Sequence, residues 1–215
     1  MLGYIFTDAA VEPALLQDMM QEANARSYSC ITVDGDTSTS DTVLVFASGK
    51  AGNAPLVTRD SPGADAFQAA LTDICTQLAH LVVKDGEGAQ KFIEIRVTGA
   101  TSDESARRIG LSIANSPLVK TAVAGQDPNW GRIVAAVGKS GAAADRDRLT
   151  IRFGDHLVAT KGWRNPDYRE EDGASYMQGQ ELVFAVDLGL GKGKRSVWTC
   201  DLTARYVEIN ADYRS

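Results

Sequence analysis

Positive charge is scarce at the start of this chain, where Arg26 is the sole Lys or Arg before Lys50. The opening "MLGYIFTDAA" therefore lacks the basic region of a secretory signal. Thr7 and Asp8 also stop its apolar run well short of the ~20 residues that a bilayer-spanning helix needs. Histidine is scarce too: His80 and His156 stand far apart, which leaves no Ser-His-Asp or Cys-His set and no HExxH. The three cysteines, Cys30, Cys75 and Cys200, are odd in number and widely spaced in apolar surroundings. That excludes a disulfide framework or zinc cluster and reads as buried thiols in a reducing compartment. No Pro/Gly/Ser-rich linker, low-complexity tract or internal repeat interrupts residues 1–215. With 44% hydrophobic content, the chain reads as a single unit with a sizeable core. A formal net charge of -6 excludes a sequence-independent nucleic-acid binder, which needs a basic stripe to displace counterions.

What is present alternates between strand and helix signals. Leu2, Tyr4 and Phe6 fall on one face of an opening strand and Gly3, Ile5 and Thr7 on the other, a pattern that predicts a central strand buried on both faces. A helix is predicted near 11–25 from Leu15, Leu16, Met19, Met20 and Ala23. The segments "SCITV" and "TVLVFAS" read as strands around the polar turn "DGDTSTSD". The longest amphipathic helix starts near Pro62, with Phe67, Leu71, Ile74, Cys75, Leu78 and Val82 in one stripe. "KFIEIRVTG" alternates as a strand with one wetter face. Thr101 and Glu104 form a capping-box pattern that opens the next helix, and Asp127 and Pro128 suit the N-cap and first position of another. The last third favours strands, with "ELVFAVDLG" and "RSVWTCDLT" joined as a hairpin through "LGKGK". The pattern predicts an α/β fold with mixed or antiparallel sheets layered with helices.

The short motifs are weaker. "DGDTSTSDT" begins like a calcium loop, but Thr39 stands where the sharp turn needs glycine and Val45 where the bidentate Glu belongs. An Asx/ST turn is the default, and no metal site is assigned. "GLGKGKRS" misses the glycine register of a phosphate loop and precedes a strand. In "DPNWGR" the helix-start amides suit an anion; the favoured reading has Trp130 packed in the core and Arg132 paired to a carboxylate. "KDGEGAQK" puts Asp85 and Glu87 between glycines after a long helix, either as a solvated cap loop or as a polar site.

The segments "DGDTSTSDT", "KDGEGAQK", "IANSPLVKTAVAGQDPNWGRIVAAVG" and "WTCDLTARYVEINADYRS", in that order, resemble the β chain of the bifunctional ornithine acetyltransferase family, the glutamate N-acetyltransferases of arginine biosynthesis. The resemblance implies a precursor that cuts itself at an Ala-Thr bond, freeing an N-terminal Thr as nucleophile. Met1 then matches the second residue of the β chain, and the nucleophilic Thr is expected directly before it, absent from these residues. The resemblance further implies the fold of the self-cleaving aminopeptidases and ping-pong acetyl transfer from N-acetylornithine to glutamate. An α chain from the same precursor is expected in an α2β2 assembly in the cytoplasm. No bound cofactor or metal is implied, acetyl-CoA entering at most as a substrate, and neither nucleic acid nor membrane is a partner. By motif, Glu87, Asn210 and Ser215 match substrate-binding positions. The competing expectations are an amidase or aminopeptidase of the same architecture, and a non-catalytic truncated chain.

Overall fold

A computed structural model describes residues 1–213. Contacts divide the chain into two compact units, where the lack of a linker suggests one. Unit 1 comprises Met1–Ser29 and Asp36–Val82; unit 2 comprises Cys30–Gly35 and the chain from Val83 onward. Each has its own hydrophobic cluster.

In unit 1, β1 (Leu2–Thr7) and β2 (Thr42–Ala47) pair in parallel, from Leu2 opposite Thr42 to Thr7 opposite Ala47. The helices α1 (Pro13–Arg26) and α2 (Ala64–Lys84) supply Leu15, Met19, Met20, Ala23, Leu71 and Cys75 to the core, against Ile5, Val43 and Val45 of the strands. Successive strand residues point to opposite faces, and here one face is covered while the other is open. Leu2 and Phe6 are 67% and 73% exposed, Tyr4, Leu44 and Phe46 are exposed beside them, and the Phe6 and Phe46 rings stack at 5.1 Å. This corrects the sequence reading of β1 as buried on both faces: its even-numbered residues have no layer above them among the described residues. The helix α2 is long and apolar enough to cross a bilayer by length and composition alone. Its Leu71 and Cys75 nevertheless pack inside the unit 1 core, as in an amphipathic core helix.

Unit 2 is built on a six-stranded mixed sheet, bearing out the expected α/β architecture. Its strands are β3 (Phe92–Ala100), β4 (Thr150–Phe153), β5 (His156–Thr160), β6 (Trp163–Arg164), β7 (Glu181–Asp187) and β8 (Gly193–Cys200), in the order β6-β5-β4-β7-β3-β8. The pair β3–β7 is parallel and the other pairs are antiparallel. Between and beside the strands run α3 (Asp103–Ala114), α4 (Pro117–Ala124), α5 (Trp130–Gly138), α6 (Glu170–Met177) and α7 (Ala204–Asp212). Ile93, Ile95 and Val97 of β3 meet Ile109 and Ile113 of α3, and the Phe153 and Phe184 rings lie 4.8 Å apart in the same core.

Several local expectations change. "LGKGK" does not close a hairpin, because β7 and β8 flank β3 on opposite sides; the connection crosses the end of β3, where the Leu190 and Gly191 amides both donate to the Gly99 carbonyl at 2.7 and 2.8 Å. "SCITV" is a short 3₁₀ turn over Tyr28–Cys30 followed by one bridge from Ile31 to Trp198, too little pairing for a strand. The cap of α3 is Ser102, not Thr101: its side chain accepts from the Ser105 amide at 3.1 Å, and Glu104 turns instead to Arg107. The cap of α5 is Asn129, not Asp127. We expect Ser102→Ala to cost about 1 kcal/mol, the usual worth of such a cap. In a denaturant titration that is a lower midpoint with an unchanged slope; an unchanged midpoint would remove the cap's assigned weight.

Candidate active site

The polar site grows from two segments of unit 2 that lie far apart in sequence. The first is the loop between α2 and β3, residues 85–91. It turns through Gly86 and Gly88, with the Ala89 amide donating to the Gly86 carbonyl at 3.0 Å. Gly88 has φ +70°, and a Cβ there would sit 2.7 Å from the Tyr206 backbone nitrogen. Only glycine meets both conditions. The second segment runs from the end of β8 into α7, so that "TCDLTARYVEIN" passes along the loop.

These segments are joined by side chains. The Asn210 Nδ2 donates to Glu87 Oε2 at 2.5 Å and to the Tyr206 carbonyl at 3.0 Å. One helical turn away, the Tyr206 hydroxyl donates to Asp34 Oδ2 at 3.0 Å. Asp34 enters from the turn at Gly35, whose φ of +93° fits a tight polar turn. The sequence-predicted Glu87 and Asn210 are therefore brought together, both facing solvent. Ser215, the other predicted site residue, lies outside the described residues.

Beneath this surface is a buried polar layer that sequence reasoning missed. Lys120 of α4 is 2% exposed, and its Nζ donates to Thr199 Oγ1 at 2.9 Å and to the Cys200 carbonyl, with Cys200 Sγ 3.8 Å away. Burial pushes its ammonium below the usual lysine range, while Cys200, Asp201 and Asp34 oppose that shift. Burial likewise raises the Cys200 thiol, with Lys120 opposing. Such a thiol stays protonated and makes a poor nucleophile. The signal for Lys120 was present: it is the lone charge in the helix sequence "PLVKTAVA".

Arg132 is corrected. It donates to the Leu118 carbonyl at 2.6 Å and to Thr121 Oγ1 at 3.3 Å, both on α4, and not to a carboxylate. Trp130 packs at the margin of the core. Among the described residues, no three His, Cys, Asp or Glu side chains gather as a metal site. Unit 1 contributes a separate surface cleft of about 390 Å³, whose lining includes Met1, Tyr28, Ser29 and Asp41.

The family model described as the ArgJ family matches residues 1–215. A protein of Ruegeria pomeroyi named arginine biosynthesis bifunctional protein ArgJ is 63% identical over 215 residues, and one of the same name from Zymomonas mobilis is 61% identical. Both matches take in 100% of this chain but only 51% and 53% of the relatives. The chain thus spans about half the length of these curated relatives. A crystal structure of arginine biosynthesis bifunctional protein ArgJ from Bacillus halodurans superposes with a TM-score of 0.96 at 40% identity, covering 99% of this chain and 100% of that one.

Proposed function

The chain belongs to the ArgJ family, and from that premise we propose that it forms one half of a glutamate N-acetyltransferase that moves acetyl from N-acetylornithine to glutamate. The observation that carries this reading is the Glu87–Asn210 pair, joined across 123 positions of sequence. A carboxylate strengthens hydrogen bonds to a substrate ammonium. An amide that donates and accepts suits the polar end of an amino acid.

In this reading the nucleophile is a Thr directly before Met1. Its free α-amino group, with a pKa near 8, takes the hydroxyl proton. The hydroxyl oxygen attacks the acetyl carbonyl, ornithine leaves with the proton, and an acetyl-threonine ester remains. The glutamate amine then attacks that ester carbonyl, the bond to the Thr oxygen breaks, the proton shed by the amine returns through the α-amino group to that oxygen, and N-acetylglutamate leaves with the Thr hydroxyl restored. No bound cofactor enters these steps, and acetyl-CoA would serve only as an alternative donor. The partner we assign is the α chain of the same precursor, in a cytoplasmic α2β2 assembly that contributes the oxyanion donors. The open apolar face of β1 and β2 supports a partner, because parallel strands are usually covered on both faces. Ser215 is proposed as a further substrate contact.

The test is product analysis with the chain co-purified with its other half. N-acetylglutamate formed from N-acetylornithine and glutamate, with the parallel initial-rate lines of a ping-pong reaction, is the expected result. Free acetate without N-acetylglutamate would replace transfer by the hydrolysis of an amidase, and no turnover would leave a non-catalytic chain.

A further inference from the structure

Asp201 is a costly residue to keep where it stands. It is 3% exposed, immediately after β8, and a buried carboxylate is expensive unless its oxygens are satisfied. Its Oδ1 is satisfied twice, accepting from the Gln90 amide at 2.8 Å and the Lys91 amide at 3.0 Å. Its Oδ2 is buried without a hydrogen-bond partner among the described residues. The carboxylate therefore serves the loop through one oxygen. Those amides belong to the last turn of the loop that carries Glu87. Two residues on, the Thr203 hydroxyl donates to the Gly88 carbonyl at 2.8 Å. Asp201 and Thr203 thus grip the loop on its far side and next to Glu87, and Asn210 takes the Glu87 carboxylate itself. The Lys120 ammonium, bonded to the neighbouring Cys200 carbonyl, places a positive charge near the buried acid.

We propose that Asp201 and Thr203 are positioning residues for Glu87, fixing the 86–91 loop so that the Glu87 carboxylate meets the substrate ammonium in one orientation. The inference rests on the functional reading above and extends it to residues that touch no substrate. It gives β8 a role as the post against which the binding loop is set, and it makes substrate affinity the property that depends on Asp201.

The experiment measures KM and kcat for N-acetylornithine with the co-purified halves, for wild type, Asp201→Ala, Asp201→Asn and Thr203→Val. KM does not depend on the fraction of protein that folds, so it separates positioning from mere loss of structure. For Asp201→Ala we expect KM to rise about tenfold with kcat nearly unchanged, the scale of a lost hydrogen bond to a charged group. Asp201→Asn, which keeps an oxygen facing the two amides, is expected to restore most of the affinity. In a Glu87→Gln background the Asp201→Ala effect on KM is expected to vanish, because residues acting through one another are not additive. Should Asp201→Ala not fold, Thr203→Val carries the same KM test alone. An unchanged KM, or an effect that survives intact in Glu87→Gln, overturns the inference while leaving the acetyltransferase reading in place. Wild-type protein that makes no N-acetylglutamate overturns the functional reading and this inference with it.

Discussion

Glu87→Gln is expected to lower kcat/KM for N-acetylornithine roughly 10- to 100-fold, the span of hydrogen bonds to charged groups expressed as a rate ratio. The substitution leaves the contacts of the loop in place. Glutamine has the shape of glutamate and keeps an oxygen that can accept from Asn210 Nδ2, so the 2.5 Å contact has a replacement and the loop has no reason to move. What is lost is the negative charge. In the proposed reaction that charge meets the ammonium of the bound amino acid, so the loss falls on substrate and not on fold. Exposed substitutions of this kind usually change stability by no more than about 0.5 kcal/mol. The paired measurement is thus steady-state kinetics with a melting curve. A hundredfold loss at unchanged melting temperature supports the ammonium role; unchanged kinetics would remove Glu87 from the binding set.

Gly193→Ala is expected to be strongly destabilising for so small a substitution. Gly193 opens β8, is buried, and lies opposite Ala100 in the β3–β8 register. A Cβ at this position would overlap the backbone of Ser102, including its carbonyl, with no flexible side chain to yield. Ser102 is also the cap of α3, so the displaced backbone belongs to a helix start and a strand start together. Overpacking of this kind costs about 1–3 kcal/mol and occasionally more. At about 2–4 °C per kcal/mol for a chain of this size, the melting temperature should fall by roughly 2–12 °C. Gly138→Ala is the control. It ends α5, its added Cβ meets nothing within 4 Å, and alanine is the better helix former. Equal melting temperatures for the two variants would sink the steric account.

How far the sequence could be read depended on whether the relevant contacts were local. The long stripe of α2 and the alternation of β3 are properties of neighbouring residues, and both elements stand where the pattern put them. Asn210 and Glu87 were legible through the motifs around them, and periodicity alone would have left each in an exposed loop or helix. The failures are non-local. Whether β1 is buried on one face or both depends on what lies over it, which alternation does not encode. The turn "LGKGK" looks like a hairpin because its sequence fits one, yet the strand between its arms, β3, comes about ninety residues earlier. "ARYVEIN" and "PLVKTAVA" were missed as helices because each is short and neither start carries a side-chain cap, which α5 has in Asn129. Asp201 was missed because nothing in its local sequence marks it as buried, whereas Lys120 was legible as the lone charge of an apolar helix and was passed over. Their role is defined by the backbone groups they meet: amides at residues 90 and 91 for one, the Cys200 carbonyl for the other.

The Glu87 loop and the segment that grips it also differ in when they are made. Asn210 follows Glu87 by 123 residues, and ribosomes add roughly 5–20 residues per second. For roughly 6–25 s of synthesis the loop exists without Asp201, Thr203 or Asn210, and its Gln90 and Lys91 amides are left to water. The contacts that hold this loop are therefore completed only after the helices and strands between the two segments have emerged.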